Sequence, residues 1–145
     1  MAYDNEADPL CYDGTDVLRN KAGLTIQSEL DDFEFLMFLS RASEPLPQGR
    51  FDFEHYCAVH RHLFQDVYEW AGKPRTIRIA KGGNWFCYPE NIRLEASKLF
   101  GWLADQNYFD ELDGADFAKC AAHFISELNA IHPFLKETAA RNWPG

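Results

Sequence analysis

Cysteine is scarce in this chain, and the four present, Cys11, Cys57, Cys87 and Cys120, stand far apart with no C-x-x-C pair among them. That spacing disfavours a disulfide framework or a zinc knuckle and leaves buried free thiols in a reducing compartment as the reading. No apolar run approaches the roughly 18 residues of a membrane-spanning helix, and Met1 to Pro9 carries neither a basic n-region nor an apolar h-region. A cytoplasmic protein with no membrane partner is expected. Basic residues are also few, 14 against 23 acidic, and the net charge of −9 repels a phosphate backbone. Direct nucleic-acid binding is thereby disfavoured. With no internal repeat, low-complexity tract or linker, residues 1–145 are expected to form a single domain around one core.

What the chain has in quantity is aromatic residues, twelve Phe, six Tyr and four Trp, which argue against disorder. Their periodicity is mostly helical. Residues 12–21 read as a turn and a short helix ended by Gly23. A long helix follows from about Ile26 to Ala42, with Ile26, Leu30, Phe33, Met37 and Leu39 at helical spacing and acidic residues in its N-terminal half. Asp52 can cap a second helix over about Phe53 to Val67, whose core stripe is Tyr56, Val59, His60, Leu63, Phe64 and Val67. The period then changes. Arg75 to Ile79 alternates polar and apolar, Lys81 to Asn84 turns, and Trp85 to Tyr88 forms a short aromatic run, so one β-hairpin is expected. Pro89 suits the first position of a third helix with Ile92, Ala96, Leu99, Trp102 and Leu103 inward. A polar turn through Asp113 leads to a fourth helix over about Ala115 to Ile131, with Phe117, Cys120, Ala121, Phe124, Ile125 and Leu128 inward. The fold class is mainly α with one hairpin. A lone two-stranded hairpin needs either helices to pack on or a task at the surface.

Few residues carry recognisable chemistry. His55 and His62 share a helix face approximately, but no Cys or carboxylate completes a zinc tetrahedron, and hydrogen-bonded helix histidines are the plainer reading for these two and for His60. Lys81-Gly82-Gly83 lacks the spacing and the Lys-Ser/Thr of a phosphate loop and reads as a hairpin turn on pattern alone. His132 differs. It precedes Pro133, which pushes it out of helical geometry, so it must stand where the fourth helix stops, with Phe134 able to pack back and fix the exit.

Four stretches together resemble the Fic (Fido) family of protein adenylyltransferases, in particular its small toxin-type bacterial members. They are Tyr12 to Lys21, Val59 to Gly72, Arg75 to Gly83 and Glu127 to Phe134. The resemblance implies a Fic helical bundle with a β-hairpin flap and an enzyme that transfers AMP from Mg-ATP to a hydroxyl of a target protein. It further implies that His132 is the catalytic base, supported by Pro133 and Phe134. The flap residues Ile77, Ile79, Lys81, Gly82 and Gly83 would dock the target by strand-like pairing, and an imidazole titrating near neutrality suits the base role. A small antitoxin acting in trans is the implied regulator. Thr25-x-x-x-Glu29 matches the start of the family's self-inhibitory motif, but Leu30 follows where Gly or Asn belongs.

The second half of the motif departs from the family. After His-Pro-Phe and one variable residue the family carries an acid that holds Mg²⁺, then Gly-Asn-Gly-Arg, an anion-binding nest at a helix N-terminus. Here Leu135 is followed by Lys136 in the acid's place and Glu137-Thr138-Ala139-Ala140 in place of the nest. No metal ligand is left at that position. Loss of one G from codons such as CTG-GAA-GGA-AAC-GGC-CGC yields Leu-Lys-Glu-Thr-Ala, so residues 135–145 are read as a frameshifted tail that replaces the C-terminal helices of the family. The expectation is a Fic scaffold whose ATP and Mg²⁺ site is lost and whose AMP transfer is negligible. The alternative is a non-catalytic module that docks a target or an antitoxin through the flap and helical surface.

Overall fold

In the computed structural model, residues 10–136 are described. Four α-helices carry the fold: α1 (Gln27–Ala42), α2 (Phe53–Phe64), α3 (Ile92–Asp105) and α4 (Gly114–Ile131). Between α2 and α3 lies the one hairpin among the described residues, β1 (Ala80–Lys81) against β2 (Asn84–Trp85), antiparallel with Ala80 opposite Trp85.

Helix α2 is the central element because its two ends feed two apolar clusters. Phe64 joins Leu18, Leu30, Val67 and Tyr68, while Phe53 and Cys57 join Ile92, Ala96, Phe100 and Phe134. The helix starts as the sequence predicts, with the Asp52 carboxylate accepting from the His55 N–H at 2.9 Å. It ends at Phe64, short of the expected Val67, because Val67 and Tyr68 close turns back to the Phe64 carbonyl. Gly72 then passes against α2 with φ 78°; a Cβ there would stand 2.5 Å from the Arg61 Cβ and 2.8 Å from the Cys57 carbonyl oxygen, so only glycine fits.

Three other expectations need correction. Residues 12–21 form a loop and not a short helix: the Thr15 hydroxyl bonds the Tyr12 carbonyl, Cys11 bridges Leu18, and the Asn20 side chain bonds the backbone of Leu18 and Leu24. Side-chain bonds of this kind compete directly with a helix. The buried stripe of α1 runs through Leu30 and Glu34, with Phe33, Met37 and Phe38 packed beside it, whereas Ile26 and Leu39 face outward. On α4, Phe124 and Leu128 pack on the core as expected, but Phe117, which meets the edge of Phe109, and Ile125 are half exposed, and only Ile131 is fully buried.

The hairpin is also shorter than the alternation over Arg75 to Ile79 suggests. The carbonyls of Ile77 and Cys87, which would extend the ladder, accept instead from the Arg75 guanidinium at 2.7 and 2.6 Å. The remaining turn is Gly82-Gly83, both at positive φ (59° and 80°) with nothing near a built Cβ. Glycine is required there by conformation, as in two-residue hairpin turns. Pro89 opens a 3-10 turn that leads into α3, and Asp113 caps α4 through the Asp116 N–H.

Candidate active site

The site is built at the C-terminal end of α4. His132 caps that helix in the left-handed region, φ 49° and ψ 67°, its N–H still bonded to the Leu128 carbonyl at 2.9 Å. A non-glycine residue held there costs roughly 1–3 kcal/mol and needs surrounding structure to hold it. Arg75 supplies much of that structure. Its guanidinium donates to the carbonyls of His132 at 2.7 Å and Ile131 at 3.0 Å, and its backbone N–H donates to the Pro133 carbonyl at 2.9 Å. One buried cation thus meets the negative end of the α4 dipole and fixes three successive peptide units.

The His132 ring is covered by the hairpin. Phe86 stacks on it with ring centroids 4.3 Å apart and planes 12° from parallel. Beyond it Pro133 and Phe134 turn into the core, and the Phe134 ring lies 3.8 Å from the His60 ring on α2. Phe134 therefore anchors the exit against α2 as well as behind its own helix.

His60 completes the anchor. Its Nδ1 accepts from the Gly72 N–H at 2.9 Å, which leaves Nε2–H to donate to the Lys136 carbonyl at 2.8 Å. Burial pushes its pKa down to about 4, with the bond to Lys136 opposing the shift, so the neutral tautomer is locked. His55 and His62 spend their Nε2 atoms on the carbonyls of Pro47 and Arg41. Among the described residues no group of three or more His, Cys, Asp or Glu could hold a metal.

Lys136 is fully buried, and its Nζ lies 2.9 Å from Glu34 Oε2 and 3.9 Å from Asp31 Oδ1, both on α1. The Tyr68 hydroxyl donates to the same Glu34 oxygen at 2.6 Å. An ammonium cannot ligate a divalent cation and repels one, so the residue at this position does not fit the metal that the motif implies. Of the flap residues, Ile79 is buried with its carbonyl accepting from the Phe86 N–H, Ile77 is half-buried, and Lys81, Gly82 and Gly83 are exposed at the tip. The substitutions at 137–140 lie outside the described residues.

Sequence reasoning missed Arg75, Glu34 and the linking role of His60. His60 stood in the apolar stripe of α2, and a polar residue in a core stripe is the signal for a satisfied internal bond. Nothing local marks Arg75 or Glu34, whose partners are 57 and 102 positions away in the chain.

The chain is similar to known proteins over most of its length. A family model described as "Fic/DOC family" matches residues 50–136. "Probable protein adenylyltransferase y4lH" of Sinorhizobium fredii is 58% identical over 135 residues, which cover 92% of this chain and 70% of the relative. "Probable protein adenylyltransferase Fic" of Escherichia coli is 34% identical over 88% of this chain and 64% of its own length. Among solved structures, BepC of Bartonella tribocorum with bound AMPPNP superposes with a TM-score of 0.77 at 26% identity, covering 91% of this chain and 71% of that one. The sequence match runs through the helix of His60, the hairpin and the end of α4 together, and the chain belongs to the Fic/DOC family.

Proposed function

We propose that this chain is the base-presenting and target-docking core of a protein adenylyltransferase, and that it transfers AMP at a negligible rate. In the full reaction the target hydroxyl gives its proton to an imidazole, its oxygen attacks the α-phosphorus of ATP, and pyrophosphate leaves. His132 is suited to take the proton: it stands at a helix end, fixed by Arg75 and by the packing of Phe134, beside a hairpin able to accept a strand. The observation that carries the reading is Lys136. Its buried ion pair with Glu34 fills the position where the motif calls for a metal-binding acid, and loss of one electrostatic stabiliser typically costs about 10²- to 10³-fold in rate.

Incubation of the purified protein with labelled ATP, Mg²⁺ and a cell lysate tests this directly. The expected result is no labelled protein above background; robust labelling that disappears in His132→Ala would overturn it. Residues 135–145 are read as the product of a shifted reading frame, and the gene sequence around codon 135 decides that point by whether the neighbouring frame encodes the intact motif.

A second reading, favoured by the intact hairpin, is a module that holds a target or a small antitoxin in the cytoplasm without turnover. It requires a folded, monodisperse protein that captures a defined partner even with His132→Ala in place.

A further inference from the structure

The hairpin is a basic island on an acidic molecule. Between Glu69 and Glu90 there is no acidic residue, while Lys73, Arg75, Arg78 and Lys81 fall in that stretch of a chain with net charge −9. Arg75 is spent internally on backbone carbonyls. Lys81 is exposed and Arg78 half-exposed, and among the described residues neither has a carboxylate within ion-pair distance, unlike Arg19, Arg41, Arg93 and Lys98.

Arg78 is held ready. Its guanidinium carbon lies 3.6 Å from the Tyr88 ring centroid and 4.6 Å from that of Trp85, while its Nε has no hydrogen-bond acceptor. Both rings are half exposed, at 50% and 57%. Stacking of this kind restricts the guanidinium and buries Nε without using the donors of its two terminal nitrogens, which remain available to an acceptor.

The register separates the two faces of the hairpin. Ile79 and Phe86 pair through a backbone bond, and their side chains go to the core and to His132. Ala80 pairs with Trp85, so Trp85 and Arg78 share the opposite face by the two-residue alternation of a strand. A peptide added along the free edge alternates in the same way. If its hydroxyl residue points to the His132 side, the residues immediately before and after it point to the Arg78 side.

We propose that the hairpin selects target segments carrying Asp or Glu immediately next to the acceptor hydroxyl residue, with Arg78 as the specificity-determining contact. The inference rests on the target-docking reading above but not on AMP transfer. The net negative charge of the molecule disfavours approach of such a segment elsewhere, so the same charges that attract also help to orient it.

The test uses fluorescein-labelled ten-residue peptides around a single Thr and reads anisotropy against the full chain. The set places Asp next to Thr, Asp two positions away, or Asn in either place. The adjacent-Asp peptide is expected to bind roughly tenfold tighter than its Asn counterpart and than the displaced-Asp peptide, with the advantage shrinking as salt rises. Arg78→Gln should erase the advantage while the circular-dichroism melt stays cooperative, and Arg78→Lys should retain part of it. Equal affinities across the set, no binding by any peptide, or a preference that survives Arg78→Gln would overturn the proposal. The labelled-ATP assay is scored separately, so peptide selection without transfer, or transfer without selection, identifies which reading fails.

Discussion

Lys136 shows what one side chain decides. On the sequence it is the wrong residue in a motif; in the fold it is a buried cation shared between Glu34 and Asp31, with Tyr68 bonded to the same carboxylate. Removing one member of such a pair leaves an uncompensated buried charge, which typically costs about 3–5 kcal/mol, whereas removing both leaves none. Lys136→Met and Glu34→Gln are each expected to lower stability by that order in urea unfolding, and the double variant by clearly less than their sum. Additive losses would show that the pair contributes nothing specific. Lys136→Asp should destabilise as well, because it sets a second carboxylate against Glu34.

Among the elements, the end of α4 and the hairpin depend on each other. Arg75 reaches the carbonyls of Ile131 and His132 on one side and those of Ile77 and Cys87 on the other, which makes it the joint between the helix and the segment that covers His132. Charge-assisted bonds from a buried donor are worth about 1.5–3 kcal/mol each and are not additive. Arg75→Gln is therefore expected to cost roughly 2–5 kcal/mol, to speed hydrogen exchange at the Phe86 amide, and to remove the ring-current shift that Phe86 imposes on the His132 Cε1 proton. Arg75→Lys should not rescue, since an ammonium lacks the fork that spans four carbonyls. Unchanged exchange and shift in Arg75→Gln would mean that the hairpin holds its place without the clamp.

At the scale of the molecule, His60 ties α2, the Gly72 turn and the segment of Lys136 together, and it makes stability depend on pH. Its folded pKa of about 4 lies below the ordinary 6.5, so between those values the unfolded chain binds more protons than the folded one. Stability from this group is fully present above pH 6.5 and declines as pH falls toward 4. The urea midpoint of the native chain should drop over that window more steeply than that of His60→Asn, measured side by side; parallel pH curves would remove His60 from the account. The molecule also carries an apolar groove of about 650 Å³ lined by Pro47, Phe51, Tyr56, Phe100, Phe124 and Leu128. His132 does not line it.

The four long helices, the Asp52 cap, the Gly82-Gly83 turn and the placing of His132 at a helix end are legible in the sequence, because each follows from short-range periodicity, capping or the restriction before proline. The sequence overstated the strands and turned Phe117 and Ile125 of α4 inward along with Phe124 and Leu128, which do pack on the core, since neither a ladder's length nor the extent of an apolar face's partner is a local property. The Arg75 clamp, the His60 link and the Glu34–Lys136 pair were decided only by tertiary structure. Burial makes a polar group's partner obligatory without saying where in the chain that partner lies, and here the partners come from α1, α2, the hairpin and the end of α4 at once.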